Sequence, residues 1–170
     1  MDILKTATEW AKAEAFSTSF FILFGVMFLA ASVGFGQLGK TELAKAYILP
    51  TLVAGILLLT IGLGLFISNN SRAKSFPAEY SKDTSAFVQS EITRVEKTME
   101  EYQTIAIKVF PAIIAVAALL IIFIDKPIWR AISITTIAML VVILLVDSNA
   151  NARLKVYKKQ LESVEIKEIN

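Results

Sequence analysis

The feature that most constrains this chain is an uninterrupted run of 24 residues, Ala15 to Leu38, that carries no charge. A helix rises ~1.5 Å per residue, so roughly 20 apolar residues cross a hydrocarbon layer of about 30 Å. The centre of the run, FFILFGVMFLAASVGF, has only Ser32 as a clearly polar residue. A second uncharged run extends from Ala46 to Ile67. Two further runs, Val109–Ile124 and Ala131–Val146, hold sixteen uncharged residues each. They reach spanning length by absorbing Lys108 and Arg130, whose aliphatic stems carry the charge back to water. Trp129, beside Arg130, suits the aromatic belt at a membrane surface.

The expected fold class is therefore all-α, a polytopic membrane protein with a four-transmembrane-helix bundle. Its spans cover 15–38, 46–67, 105–124 and 128–146 within one membrane domain. A composition of 55% hydrophobic and 19% charged residues fits that reading, because the charges lie in blocks between the apolar runs. One alternative makes the last two runs a buried hairpin of a soluble domain, but nothing else in the chain could cover it. Another makes the first run a cleaved signal peptide, but it exceeds the usual apolar length of about 7–15 residues.

Orientation follows from the cations. With four spans, segment 1–14, the loop 68–104 and the tail 147–170 share one side. Together with Lys108 they hold thirteen Lys and Arg, against four (Lys40, Lys45, Lys126 and Arg130) on the other side. Cations accumulate on the cytoplasmic side, so both termini are expected there, in a plasma or inner membrane. The external turns, Gly39–Lys45 and Asp125–Ile128, are too short to form a receptor domain or a lid.

The cytoplasmic segments are patterned. The loop opens with Asn69-Asn70-Ser71 and Pro77, which reads as an irregular connection. From 84 to 104 an amphipathic helix is expected: Val88, Ile92, Val95, Met99, Tyr102 and Ala106 recur at heptad spacing and continue into the third span without a break. In the tail, Asp147, Ala150, Leu154, Tyr157, Leu161 and Val164 follow the same rhythm. Each seam is too short for a free coiled coil. The two are expected to pair as an antiparallel helical-hairpin extension of spans 3 and 4, with Ile92, Val95, Met99, Leu154, Tyr157 and Leu161 as the packing residues. Opposite charges support this register, with Glu100 and Glu101 facing Arg153, Lys155, Lys158 and Lys159, and Arg94 and Lys97 facing Glu162 and Glu165. The alternative is two amphipathic helices lying on the membrane surface. Residues 1–14 are amphipathic too, and Trp10 reads as an interfacial anchor.

The chain has no cysteine and no histidine. That removes disulfides, thiolate nucleophiles, imidazole metal ligands and the usual proton shuttle at neutral pH. Near-balanced charge, seventeen Lys and Arg against fifteen Asp and Glu, gives no reason to expect a nucleic-acid partner. No phosphate loop, zinc motif or nucleophile elbow is present. No catalytic residue, cofactor or metal is expected.

Ionisable groups are rare inside the spans. Asp147 closes the fourth span and is expected to pair with Lys108 at the start of the third, with a proton or cation site as the alternative. Thr135 and Thr136 at mid-span are the hydroxyls best placed for an inter-helix contact or a polar path. Small residues at Ala30 and Gly34, Gly62 and Gly64, and Ala112 and Ala115 would let backbones approach. Pro50 and Pro111, each early in a span, would kink it unless the helix begins there. The function expected is non-enzymatic: a structural or accessory subunit, in the lipid bilayer, assembling with itself or with a larger membrane complex. A small oligomeric channel or transporter is the second expectation, and a membrane enzyme acting on lipid or quinone the third.

Overall fold

The computed structural model describes residues 2–169. Helix α1 covers Ile3–Leu38, α2 Glu42–Ala46, α3 Ile48–Lys82, α4 Thr84–Thr104, α5 Phe110–Phe123 and α6 Pro127–Ile169. A π-helical turn, Ile105–Val109, joins α4 to α5. Among the described residues, four helical stretches are long and apolar enough to cross a membrane: α1, α2 with α3, α4 with α5, and α6. Side chains mark the ends. Asp2, Thr41 and Asp83 accept hydrogen bonds from the backbone N–H groups of Lys5, Ala44 and Ala86, covering donors that the first helical turn leaves free.

The long helices run through both an apolar and a polar half of the molecule. In the apolar half α1 and α3 meet almost backbone to backbone. A Cβ added at Gly25 would sit 2.8 Å from Leu59 Cγ and 3.1 Å from the Gly55 carbonyl oxygen, and one at Gly62 would sit 2.9 Å from the Ile22 nitrogen. Gly62 was expected in such a role. Gly34 and Gly64 face open space, and Ala112 and Ala115 are exposed. The inter-helix hydroxyl contact is also not at Thr135 and Thr136. It is made by Ser32, whose Oγ donates to the Ile48 carbonyl at 2.8 Å. Phe21, Leu58, Leu140, Ile143 and Val146 form the core of this half.

The polar half is a bundle of four helices, broader than the two-helix hairpin expected. Seam residues Ile92, Val95, Leu154, Tyr157 and Leu161 are buried, with Met99 packed against them. Ile3, Ala7 and Ala11 of α1 and Phe76 of α3 complete the same cluster. The stretch 68–82 is thus helical and carries Pro77 within α3, where an irregular connection was expected. Tertiary packing overrides local propensity here: Phe76 and Asn69 are buried, and the Phe76 ring meets Phe87 edge-on at 5.3 Å.

The seam of α4 does not continue in phase into α5. Unbroken heptad spacing after Ala106 would bury Val109, Ile113 and Val116, which are 43%, 40% and 57% exposed. Instead Phe110, Ile114 and Ala117, each one residue later, turn inward. The π-turn supplies the slip: the Phe110 N–H donates to the Ile105 carbonyl, five residues back. Pro111 follows at once, lacking an N–H and crowding the carbonyl four residues before it, and a widened turn relieves both faults. Pro50 needs no such device, because it falls in the first turn of α3.

Candidate functional site

At the junction of the two halves the four helices form a cleft of about 360 Å³, open on one side. Its apolar lining is Phe21, Leu65, Ile105, Ala106 and Val146, with Leu65 and Ile105 exposed at the opening, and polar side chains of all four helices line the rest. The lining residue Ala106 belongs to the π-turn, so the irregularity in α4–α5 shapes the cavity directly.

Three carboxylates line the cavity, Glu14 on α1, Asp147 on α6 and the exposed Glu101 on α4. Glu14 is buried and accepts a hydrogen bond from Arg153 Nε at 3.0 Å. Asp147, just beyond the apolar run of α6, is half-buried. Burial, and secondarily the charge of Glu14, push its carboxyl up to about 6. Among the described residues no ion pair joins Asp147 to Lys108, contrary to expectation. Ala106 is the buried residue of the π-turn, and Lys108, two positions on, faces outward and is exposed. Asp147 lines the cavity and Lys108 does not.

Two arginines, Arg72 and Arg94, also line the cavity. Arg94 forms a fork with buried Glu91, Nε to Oε1 at 2.8 Å and Nη2 to Oε2 at 2.7 Å. Tyr157 donates its hydroxyl to the same Glu91 at 2.9 Å, and burial followed by the Glu91 charge raises the phenol above its usual range. The Arg94 guanidinium lies 4.5 Å over the Trp10 ring, which stacks on Tyr157 at 4.9 Å. Trp10 is thus half-buried and packs against the core of the polar half. Arg72 reaches Asn69 Oδ1 at 3.2 Å; desolvation first, then the charge of Arg94, lowers its pKa, though a guanidinium stays charged.

Thr135 is buried and Thr136 half-buried in the apolar part of α6, and neither lines the cavity. The expected charge ladder between α4 and α6 is realised by a different pair, Lys158 with Glu96 at 2.9 Å, about one helical turn from the register drawn from the charges. Arg153 turns to α1 and Arg94 to its own helix. The Glu165 side chain lies outside the described ones. Sequence reasoning passed over Glu14, Arg72 and Asn151. Glu14 carried a signal: an acid one residue before an uncharged run is costly at a membrane boundary unless it has a partner. No family model, characterised protein or solved structure matches the chain.

Proposed function

We propose that the chain is a non-enzymatic integral membrane subunit that holds a rigid helical bundle at the cytoplasmic face of a plasma or inner membrane. The observation that supports this reading most is continuity. Helices α1, α3 and α6 pass from the apolar half into the polar half without a break, and α6 alone has 43 residues, about 65 Å of helix. Nothing flexible separates the two halves on those three helices. The seam residues Ile92, Val95, Met99, Leu154, Tyr157 and Leu161 pack inside the chain, so assembly falls to other surfaces. Helix α5 packs chiefly on α6 and leaves Val116, Leu119, Ile122 and Phe123 exposed, a face open to lipid, to a second copy or to a larger membrane complex. In this reading both termini are cytoplasmic.

Two measurements test the proposal. Reporters active only outside the cytoplasm should be silent when fused at Met1 or Asn170 and bright at Gly39 or Lys126. Extraction in mild detergent should give a particle well above the 18.7 kDa of one chain. A monomeric particle would remove the subunit reading. The channel or transporter reading gains from the cavity with Asp147, and flux through reconstituted vesicles that Asp147→Asn abolishes would put it first.

A further inference from the structure

The cavity at the junction has a chemical character that the subunit reading does not use. Four carboxylates (Glu14, Glu91, Glu101 and Asp147) and three guanidiniums (Arg72, Arg94 and Arg153) either line it or pair with a group that does. Two pairs cancel, Glu14 with Arg153 and Glu91 with Arg94. Of the three charges that remain, Arg72 hydrogen-bonds Asn69, Glu101 is exposed to solvent, and Asp147 is half-buried without an ion pair among the described residues. One turn further along α6, on the same face, Asn151 is 9% exposed and its Oδ1 is buried without a hydrogen-bond donor. A buried acceptor left bare costs about 1–3 kcal/mol, so this atom calls for a donor, while Trp10 Nε1 and Arg153 Nη2, two buried donors without a partner among the described residues, are left to other acceptors. The same cavity has the apolar lining of Phe21, Leu65 and Val146.

We propose that this cavity binds an organic ammonium ion with an apolar body, whose N–H groups donate to the Asp147 carboxylate and to Asn151 Oδ1. A single half-buried carboxylate without an ion pair selects a monocation over a divalent metal, and no cluster of three or more acids occurs among the described residues. The volume selects an organic ion over a bare alkali cation, since about 360 Å³ with an apolar lining matches the small end of ligand pockets. An ammonium supplies both a charge for Asp147 and a donor for Asn151; a neutral alcohol supplies only the second. The site requires ionised Asp147. The charged and titratable groups around it are Glu14 from α1, Arg72 from α3, Arg94, Glu101 and Tyr102 from α4, and Arg153 from α6. Affinity should therefore fall as the pH drops below about 6 and Asp147 takes up a proton.

The test uses the full chain in detergent, with 2-phenylethylamine as the probe and the emission of Trp10, which lines the cavity, as the readout in a Trp129→Phe background. Saturable binding of the amine is expected, at least tenfold tighter than of 2-phenylethanol. Asp147→Asn should weaken it at least tenfold, and Ala150→Leu, which fills the cavity without touching a charge, should do the same. Circular dichroism and elution volume check that both variants fold. Thr136→Val, outside the cavity, should bind as the parent does. Equal binding of the alcohol, or unchanged amine binding in either folded cavity variant, would overturn the proposal. So would displacement of the amine by sodium but not by choline at equal ionic strength, since the site would then hold an inorganic cation.

Discussion

In the apolar half α1 and α3 approach at Gly25 and Gly55, where a Cβ on either would lie 2.8 Å from a leucine of the facing helix, whereas in the polar half the same α1 and its neighbours are kept apart by Trp10, Phe76, Phe87 and Tyr157. The difference follows from the solvent expected around each half. In water, burying large apolar side chains is itself the driving force, at about 25 cal/mol per Å². Among lipid tails that force vanishes, and close backbone approach through small residues supplies the packing instead. The polar groups divide the same way. Hydroxyls in the apolar half mostly donate to carbonyls of their own helix, as Thr18 does to Ala15 and Thr60 to Ile56. In the polar half Arg153, Tyr157 and Lys158 reach across to other helices.

That contrast can be broken most severely at Gly25. Gly25→Leu places side-chain atoms where the α3 backbone runs, so the α1–α3 hairpin should not form, and the protein should be lost from the folded fraction in detergent. Gly34→Leu, facing open space, should leave the melting curve unchanged. In the polar half the opposite change is the damaging one. Tyr157→Ala removes a ring that is 1% exposed and a hydrogen bond to Glu91, and should cost about 3–5 kcal/mol in chemical denaturation.

Asp147 sharpens the comparison, because it sits where the halves meet. Its carboxyl titrates at 3.8 when unperturbed and at about 6 in the folded chain. Below about pH 4 it is neutral in both states and carries no penalty. Between about 4 and 6 the folded state binds more protons, so stability falls as pH rises, and above 6 the full penalty is present. Asp147→Asn should therefore raise stability at pH 7 by on the order of 2 kcal/mol and flatten the pH dependence between 4 and 6, both visible in thermal melts. Loss of stability in that variant would restore the structural-pair role first expected. The smallest effect belongs to Lys158→Met. Its bridge to Glu96 lies on a solvated surface, and the change in melting temperature should be barely detectable.

Much of this architecture was legible in the residues. The four apolar runs, the helix at 84–104 and the two seams rest on periodicity, which survives any detail of packing. Ile92, Val95, Leu154, Tyr157 and Leu161 share one buried cluster with residues of α1 and α3, and the short connection between α5 and α6 keeps those two helices neighbours. What could not be read depended on rotation about a helix axis or on a third partner. Lys108 was expected to face Asp147 and is exposed instead. Trp10 meets Tyr157 and Arg94, which lie far away in sequence. The cavity required Glu14 from one end of the chain and Asn151 from the other, and no local pattern joins them.

The π-turn at Ile105–Val109 acts as a dial set by one residue. Each residue added to a helix rotates everything beyond it by about 100°. Winding the turn as α-helix at its present length would spin α5 about its own axis, swinging Val109, Ile113 and Val116 inward and Phe110, Ile114 and Ala117 outward. Deleting Ile107 would instead remove the extra residue, so that α-helical winding carries Phe110, Ile114 and Ala117 to the positions that continue the α4 seam and keeps the present face of α5 inward. The outer face of α5 is thus chosen by the winding of a five-residue turn as much as by the identity of the residues upon it.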